Sequence, residues 1–250
     1  MMNFKGPAKP LEDIDLPRIA SRIGCGEDEL HAVLDVEAPG GAFDPQGRPR
    51  ILFEPHIFYR NLHPSHRSVA MAEKLACKIW GQIRYGKESE QYGRLERAMR
   101  INETAALKAC SWGRPQILGE NYVAAGYETV QEMVTAFTIS EANQIEAMVR
   151  FIKANHLDDD LRAHNWAAFA RGYNGPGYRK NAYDVKLAQA YKRWAKIKDT
   201  PWSPDEPQAP VIPPAPPLVR VPPPPVSDTA QLQSSGFWAW LSGLFNKPQA

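Results

Sequence analysis

Apolar positions recur at spacings of three and four along most of the chain between Leu11 and Lys198, the signature of helices with one buried face. Glu141 to Lys153 is the clearest stretch: Ala142, Ile145, Met148, Val149 and Ile152 form one stripe, and Ser140 is placed to cap its start. Ala182 to Lys198 repeats the pattern with Leu187, Tyr191 and Trp194. Thr104 to Cys110 and Val69 to Trp80 also have helical spacing. Glu27 to Val36 carries acidic residues in its first turn and buries Leu30, Val33 and Leu34, and Pro39-Gly40-Gly41 then stops it. Strand signals are few. Arg50-Ile51-Leu52-Phe53 follows a Gly47-Arg48-Pro49 turn and reads as an edge strand or a buried extended segment. The pattern predicts a mainly α fold with a small irregular or β lobe near residues 40–54.

Composition changes the picture only near Thr200. Residues 201–225 hold 12 of the 23 prolines. Proline donates no backbone hydrogen bond, so an extended linker is expected over 199–234. Beyond it, residues 235–250 carry Phe237-Trp238-Ala239-Trp240-Leu241 and Leu244-Phe245. At helical spacing Phe237, Trp240, Leu241, Leu244 and Phe245 share a face. A short amphipathic helix is expected there, resting on a membrane or envelope surface or docked on protein. The expected organisation is a catalytic domain over 11–198, the linker, and this tail. The net charge of +2 gives no case for a nucleic-acid partner. The odd set Cys25, Cys77 and Cys110 reads as three reduced thiols. Residues 1–10 hold no apolar run of signal-peptide length, and no window reaches the roughly 20 apolar residues of a spanning helix.

The first candidate for chemistry is Glu37. It lies three, four and seven residues beyond Leu34, Val33 and Leu30, which puts its carboxylate on the apolar face. Burial and the negative end of a helix both disfavour the charged form, raising the pKa as a general acid near neutral pH requires. The alternative is a structural Glu paired with an Arg or capping an amide. Asp35 lies on another face and is read as solvated.

Two further clusters bear on that choice. Ser111-Trp112-Gly113-Arg114-Pro115-Gln116-Ile117, with Tyr122 beyond, reads as a turn between two helices. It would aim Ser111 and Gln116 into a groove with Trp112 as a stacking surface, the hydroxyl, amide and aromatic set a sugar needs. The alternative is a helical corner with Trp112 in the core. Tyr173-Asn174-Gly175-Pro176-Gly177-Tyr178 reads as a tight loop after a helix from Trp166, with Tyr173 and Asn174 at its mouth. The alternative is a C-capping turn with Asn174 left-handed.

From Val36-Glu37 with Gly40-Gly41-Ala42-Phe43, through Gly47-Arg48-Pro49-Arg50-Ile51-Leu52-Phe53-Glu54 and Ala109-Cys110-Ser111-Trp112-Gly113 with Gln116-Ile117 and Asn121-Tyr122, to Tyr173-Asn174-Gly175-Pro176-Gly177-Tyr178, the chain closely resembles the N-acetylmuramidase domain of phage endolysins and bacterial wall hydrolases. The order Glu, Ser-x-Gly-x-x-Gln, Tyr-Asn is also similar to goose-type lysozymes and lytic transglycosylases. The resemblance implies a lysozyme-like helical fold. It also implies cleavage of the β-1,4 bond between N-acetylmuramic acid and N-acetylglucosamine with Glu37 as acid.

Glycoside hydrolysis usually needs a second carboxylate. Asp44, after the Gly40-Gly41 turn, is one candidate, with capping of the Pro45-Gln46-Gly47 turn as its alternative. Glu54 is another, with pairing to Arg48, Arg50 or His56 as its alternative. A third possibility is a single acid, giving 1,6-anhydro products as a lytic transglycosylase does. No cofactor and no metal site is expected; His63 and His66 read as surface histidines. The substrate expected is peptidoglycan and the chain is expected to be monomeric. Synthesis in the cytosol and passage to the wall through a holin-type pore fit an endolysin. A non-catalytic wall-binding module and a membrane-active lytic protein driven by the tail are the readings from other classes.

Overall fold

A computed structural model describes residues 2–37 and 40–204. The linker beyond Pro204, the expected C-terminal helix of the 235–250 tail, and Pro39 of the predicted helix stop lie outside the described residues. The fold is mostly helical with one small antiparallel sheet. The α-helices are α1 (Asp15–Ala20), α2 (Glu27–Glu37), α3 (Pro55–Asn61), α4 (Pro64–Ala72), α5 (Gln91–Ile101), α6 (Glu103–Lys108), α7 (Val130–Ile139), α8 (Glu141–Ala154), α9 (Asp158–Arg162), α10 (Trp166–Asn174) and α11 (Tyr183–Trp194). The strands are β1 (Ile51–Phe53), β2 (Cys110–Trp112) and β3 (Ile117–Leu118). Among the described residues no helix is long and apolar enough to cross a membrane.

The chain divides into two compact units, Met1–Pro10 with Gly41–Met148, and Leu11–Gly40 with Val149–Ala250. In the first, β2 pairs with both neighbours, and its register sets Leu52 opposite Ser111 and Trp112 opposite Ile117. Local signals start the helices around it. Pro55 and Pro64 occupy first-turn positions, where a missing N–H costs nothing. Thr129 and Glu132 close a reciprocal capping box on α7, and Asn102 caps α6. The core gathers Phe53, Phe58, Leu95, Leu107, Trp112, Met133 and Phe137, all almost fully buried. Phe4 of the leading segment stacks on Trp112 at 5.9 Å, and Lys9 bridges Ser140.

In the second unit α2 presents Leu30, Val33 and Leu34 to α11, which answers with Tyr183, Leu187 and Ala190, all buried. The start of α2 is fixed by Glu29, whose Oε2 accepts the Gly26 N–H at 2.9 Å. Arg162 of α9 donates to the Ile23 carbonyl at 2.5 Å, beside the left-handed Gly24. Asp35 takes the outer face of α2 and accepts from the Trp194 indole N–H at 2.8 Å.

Four predicted elements differ. The helix expected over Val69 to Trp80 is α4, which starts five residues earlier at its proline and ends where Lys74 turns left-handed. The stretch Thr104 to Cys110 stops at Lys108, because Cys110 enters the sheet opposite Phe53. The turn between two helices at 111–117 is instead a β-hairpin, β2 to β3, tightened by Gly113 at φ +68°. The last helix also ends four residues short of Lys198, at Trp194.

Candidate functional site

The Leu11–Gly40 and Val149–Ala250 unit holds the first carboxyl. Glu37 is the last residue of α2 and only 2% exposed. Asn174, the last residue of α10 and fully buried, donates from Nδ2 to Glu37 Oε1 at 2.8 Å. Gly175 follows at φ +76° and turns the chain away, so the left-handed position falls on the glycine and not on Asn174. Tyr173 is buried beside it, stacked on Phe169 at 5.5 Å and edge-on to Phe151 at 6.0 Å. The tight loop expected to expose Tyr173 and Asn174 therefore holds both inside the last turn of a helix.

Burial drives the protonation of this group. Loss of hydration pushes Glu37 up to about 8, against the smaller opposing pulls of the Asn174 hydrogen bond and the Lys186 ammonium. Tyr173 and Tyr183 are raised in turn, by burial first and then by the Glu37 charge. Two buried oxygens are left without partners among the described residues, Glu37 Oε2 and Asn174 Oδ1. Both are acceptors when Glu37 is ionised. Burial therefore carries the neutral form by itself, since the Asn174 hydrogen bond to Oε1 favours the charged one.

The other unit holds the second carboxyl. Glu54 directly follows β1, and its N–H continues the ladder to the Ala109 carbonyl at 2.8 Å. Because Leu52 stands opposite Ser111, Glu54 and Ser111 are diagonal neighbours on one face of the sheet. Ser111 Oγ donates to Glu54 Oε1 at 3.1 Å, and Tyr85 Oη donates to Oε2 at 3.3 Å. Burial pushes Glu54 up to about 7 despite these two donors. His56 Nε2 lies 3.8 Å from Oε2, but burial holds His56 down at about 4, so the imidazole is neutral and the contact is not an ion pair. Arg48 and Arg50, considered as partners from the sequence, go instead to Asp44 and to Glu88 with the Phe43 carbonyl.

Asp44 is engaged by its own turn. Oδ1 accepts the N–H groups of Gln46 and Arg48 at 2.9 Å each, and Oδ2 meets the Arg48 guanidinium at 2.7 Å. That guanidinium lies over the Tyr92 ring at 3.8 Å, and the Tyr92 hydroxyl donates to the Pro49 carbonyl at 2.7 Å. Swinging Asp44 elsewhere would strip this turn of its cap and its counter-ion.

The remaining predicted residues separate. Trp112 is wholly buried with its indole N–H given to the Leu107 carbonyl at 2.9 Å, so the expected stacking surface is not there. Its alternation on β2, opposite to Ser111, is the reason: if one faces Glu54, the other must face the core. Gln116 is 7% exposed at φ +50°, and its Nε2 donates to the Gly113 carbonyl at 2.7 Å, stapling the hairpin turn rather than facing a groove. Tyr122 is half-buried after the Gly119–Asn121 turn, with the Lys108 ammonium 5.3 Å from its ring centre. Sequence reasoning missed Tyr85, Tyr183 and Lys186. It also missed Gln91, 1% exposed, which accepts from the Phe53 N–H at 2.9 Å and donates to the Tyr85 carbonyl at 2.6 Å. One buried amide thus fixes both backbones that flank Glu54. No local spacing announces these residues, because each acts across a long loop.

The N-acetylmuramidase family model matches residues 27–195, a span that contains both carboxyl clusters. A solved crystal structure of the Burkholderia AP3 phage endolysin is similar to this chain, with 40% identity and a TM-score of 0.70, covering 77% of this chain and 74% of that one. No curated protein gives a match. The chain belongs to the N-acetylmuramidase family of peptidoglycan hydrolases.

Proposed function

We propose that this chain hydrolyses the β-1,4 bond between N-acetylmuramic acid and N-acetylglucosamine, with Glu37 as the general acid. The observation that carries the reading is a buried carboxyl that keeps its proton up to about 8 and has one oxygen, Oε2, without a partner among the described residues. A neutral acid at working pH is what protonation of the leaving glycosidic oxygen requires. Asn174 orients the group through Oε1 and leaves Oε2 as the proton-bearing atom.

In this reading the second carboxylate is Glu54, since Asp44 has both oxygens engaged by its turn. Ser111 and Tyr85 orient Glu54, which titrates near neutral pH and so can take a proton from attacking water. Tyr122 is retained as a candidate glycan contact by virtue of its partial exposure. The segment 199–234 serves as a tether in this proposal, and 235–250 as an envelope-contacting tail. The solved relative is by name a phage endolysin. For this chain we extend that to synthesis as a cytosolic monomer and release to the wall through a holin-type pore.

The test is lysis of purified peptidoglycan by the wild type and by Glu37→Gln, followed by mass spectrometry of the soluble muropeptides. The expected result is reducing N-acetylmuramic acid ends from the wild type and no release from the variant. Anhydro ends would replace hydrolysis by transglycosylation and remove the role given to Glu54. Undiminished lysis by the variant would remove Glu37 from the chemistry. Pelleting with wall but no soluble product from the wild type would leave a binding module.

A further inference from the structure

The stretch between α4 and α5 holds no regular element except the Glu88–Glu90 turn, yet its backbone is tied along its length. The Cys77 N–H reaches the Pro55 carbonyl at 3.3 Å, next to Glu54. Ile79 N–H donates to the Gln82 side chain at 3.2 Å, Arg94 holds the Arg84 carbonyl at 2.8 Å, and Gln91 holds the Tyr85 carbonyl. Within this tied loop two adjacent large apolar side chains face water: Ile79 is 62% exposed and Trp80 38%. A tryptophan used for packing in this unit looks like Trp112, with no exposure at all.

The edge of the Trp80 ring is not free. The indole lies against the Tyr85 hydroxyl, and that hydroxyl donates to Glu54 Oε2 at 3.3 Å. An exposed aromatic face therefore stands beside a hydroxyl that is bonded to a buried carboxyl. The inward edge is anchored while part of the ring stays in water. A pyranose ring has the matching character, an apolar C–H face that packs on the negative face of an aromatic π system and a rim of hydroxyls that stays wet.

We propose that Trp80 is a saccharide-stacking platform that takes one N-acetylhexosamine ring of the glycan strand, with Tyr85 holding the indole edge so that the face is presented in a fixed orientation. This inference rests on the reading that the chain acts on peptidoglycan, and deepens it by assigning a sugar contact beside Glu54. It makes Tyr85 a positioning residue for both Trp80 and Glu54.

The experiment measures initial rates against the concentration of purified peptidoglycan for the wild type, Trp80→Ala and Trp80→Phe, with the melting temperature of each. Losing the platform should raise the half-saturating concentration about tenfold in Trp80→Ala, equivalent to about 1.4 kcal/mol, with the maximal rate within about twofold. Trp80→Phe keeps a flat face and should recover most of the loss. A purely structural tryptophan would instead lower the melting temperature and leave half-saturation unchanged. Half-saturation within about twofold of wild type in Trp80→Ala overturns the proposal, as does equal impairment of both variants. Co-sedimentation with purified peptidoglycan of Glu37→Gln, with and without Trp80→Ala, reads binding without turnover. A fall in the pelleted fraction upholds the platform even if the wild type released no soluble product, so the two readings fail separately.

Discussion

Replacing Glu37 by glutamine should change how the stability of the fold depends on pH. In the folded chain this carboxyl ionises near 8, against 4.5 for an ordinary glutamate. Below 4.5 it is neutral in both folded and unfolded chains and contributes no difference. Between 4.5 and 8 the unfolded chain has released the proton and the folded chain still holds it. The folded state then binds more protons, so stability falls as pH rises. Above 8 the folded chain carries a buried charge, and the accumulated loss is roughly 5 kcal/mol, at about 1.4 kcal/mol for each pH unit crossed. Glutamine is neutral at every pH and has nearly the same shape. The variant should therefore match the wild type near pH 4.5 and exceed it progressively above. Glu54 acts in the same direction, but it is present in both proteins and cancels in the comparison. The assay is thermal unfolding followed by circular dichroism at pH 5, 7 and 9. At roughly 2–4 °C per kcal/mol for a chain of this size, the gap should reach about 10–20 °C at pH 9 and close at pH 5. A gap that is the same at pH 5 and pH 9, or a variant less stable at pH 9, would refute the argument that Glu37 is kept neutral by burial.

Asn174→Ala removes the donor that favours ionised Glu37, so the alkaline limb of the rate profile on purified peptidoglycan, expected near pH 8 in the wild type, should move to higher pH. A limb that stays in place or moves down would contradict the assigned hydrogen bond. Gly113→Ala places a methyl group 2.5 Å from Gln144 Oε1 at a backbone φ of +68°, and Gln144 Oε1 is itself fixed by the Arg114 N–H at 2.7 Å. The strain should cost roughly 1–3 kcal/mol, read as a lower denaturant midpoint, and an unchanged midpoint would show that the hairpin relaxes freely.

The burial of Glu37 was legible because a helix repeats every three to four residues, and Leu30, Val33, Leu34 and Glu37 obey that period without interruption. The hairpin at Cys110–Leu118 was not legible. Strands of three and two residues are too short for alternation to show, and Ser111 and Trp112 are both buried, so polarity does not mark which side is core. That misreading gave Trp112 an open stacking face where the ring is buried, and gave Gln116 a groove position where its amide holds the hairpin turn. The α4 boundary was misjudged because the apolar spacing runs past the helix end, whereas His63 and Pro64 at its start are the physical signal. Tyr85 and Gln91 had no readable signature at all. They reach Glu54 and Phe53 across 31 and 38 residues, and a long-range hydrogen bond leaves no period in the sequence.

The hydrogen bond between Glu37 and Asn174 joins residues 137 positions apart, with the whole Gly41–Met148 segment lying between them. On the ribosome α2 leaves the tunnel long before α10 and α11 exist. Until they arrive, the side of α2 that Tyr183 and Leu187 later cover faces water, and Glu37 is an ordinary surface carboxylate, ionised at cellular pH. At about 5–20 residues per second that interval lasts roughly 7 to 30 seconds. The nascent chain thus carries Glu37 without its raised hold on a proton, and a chain interrupted before Trp166 never acquires it.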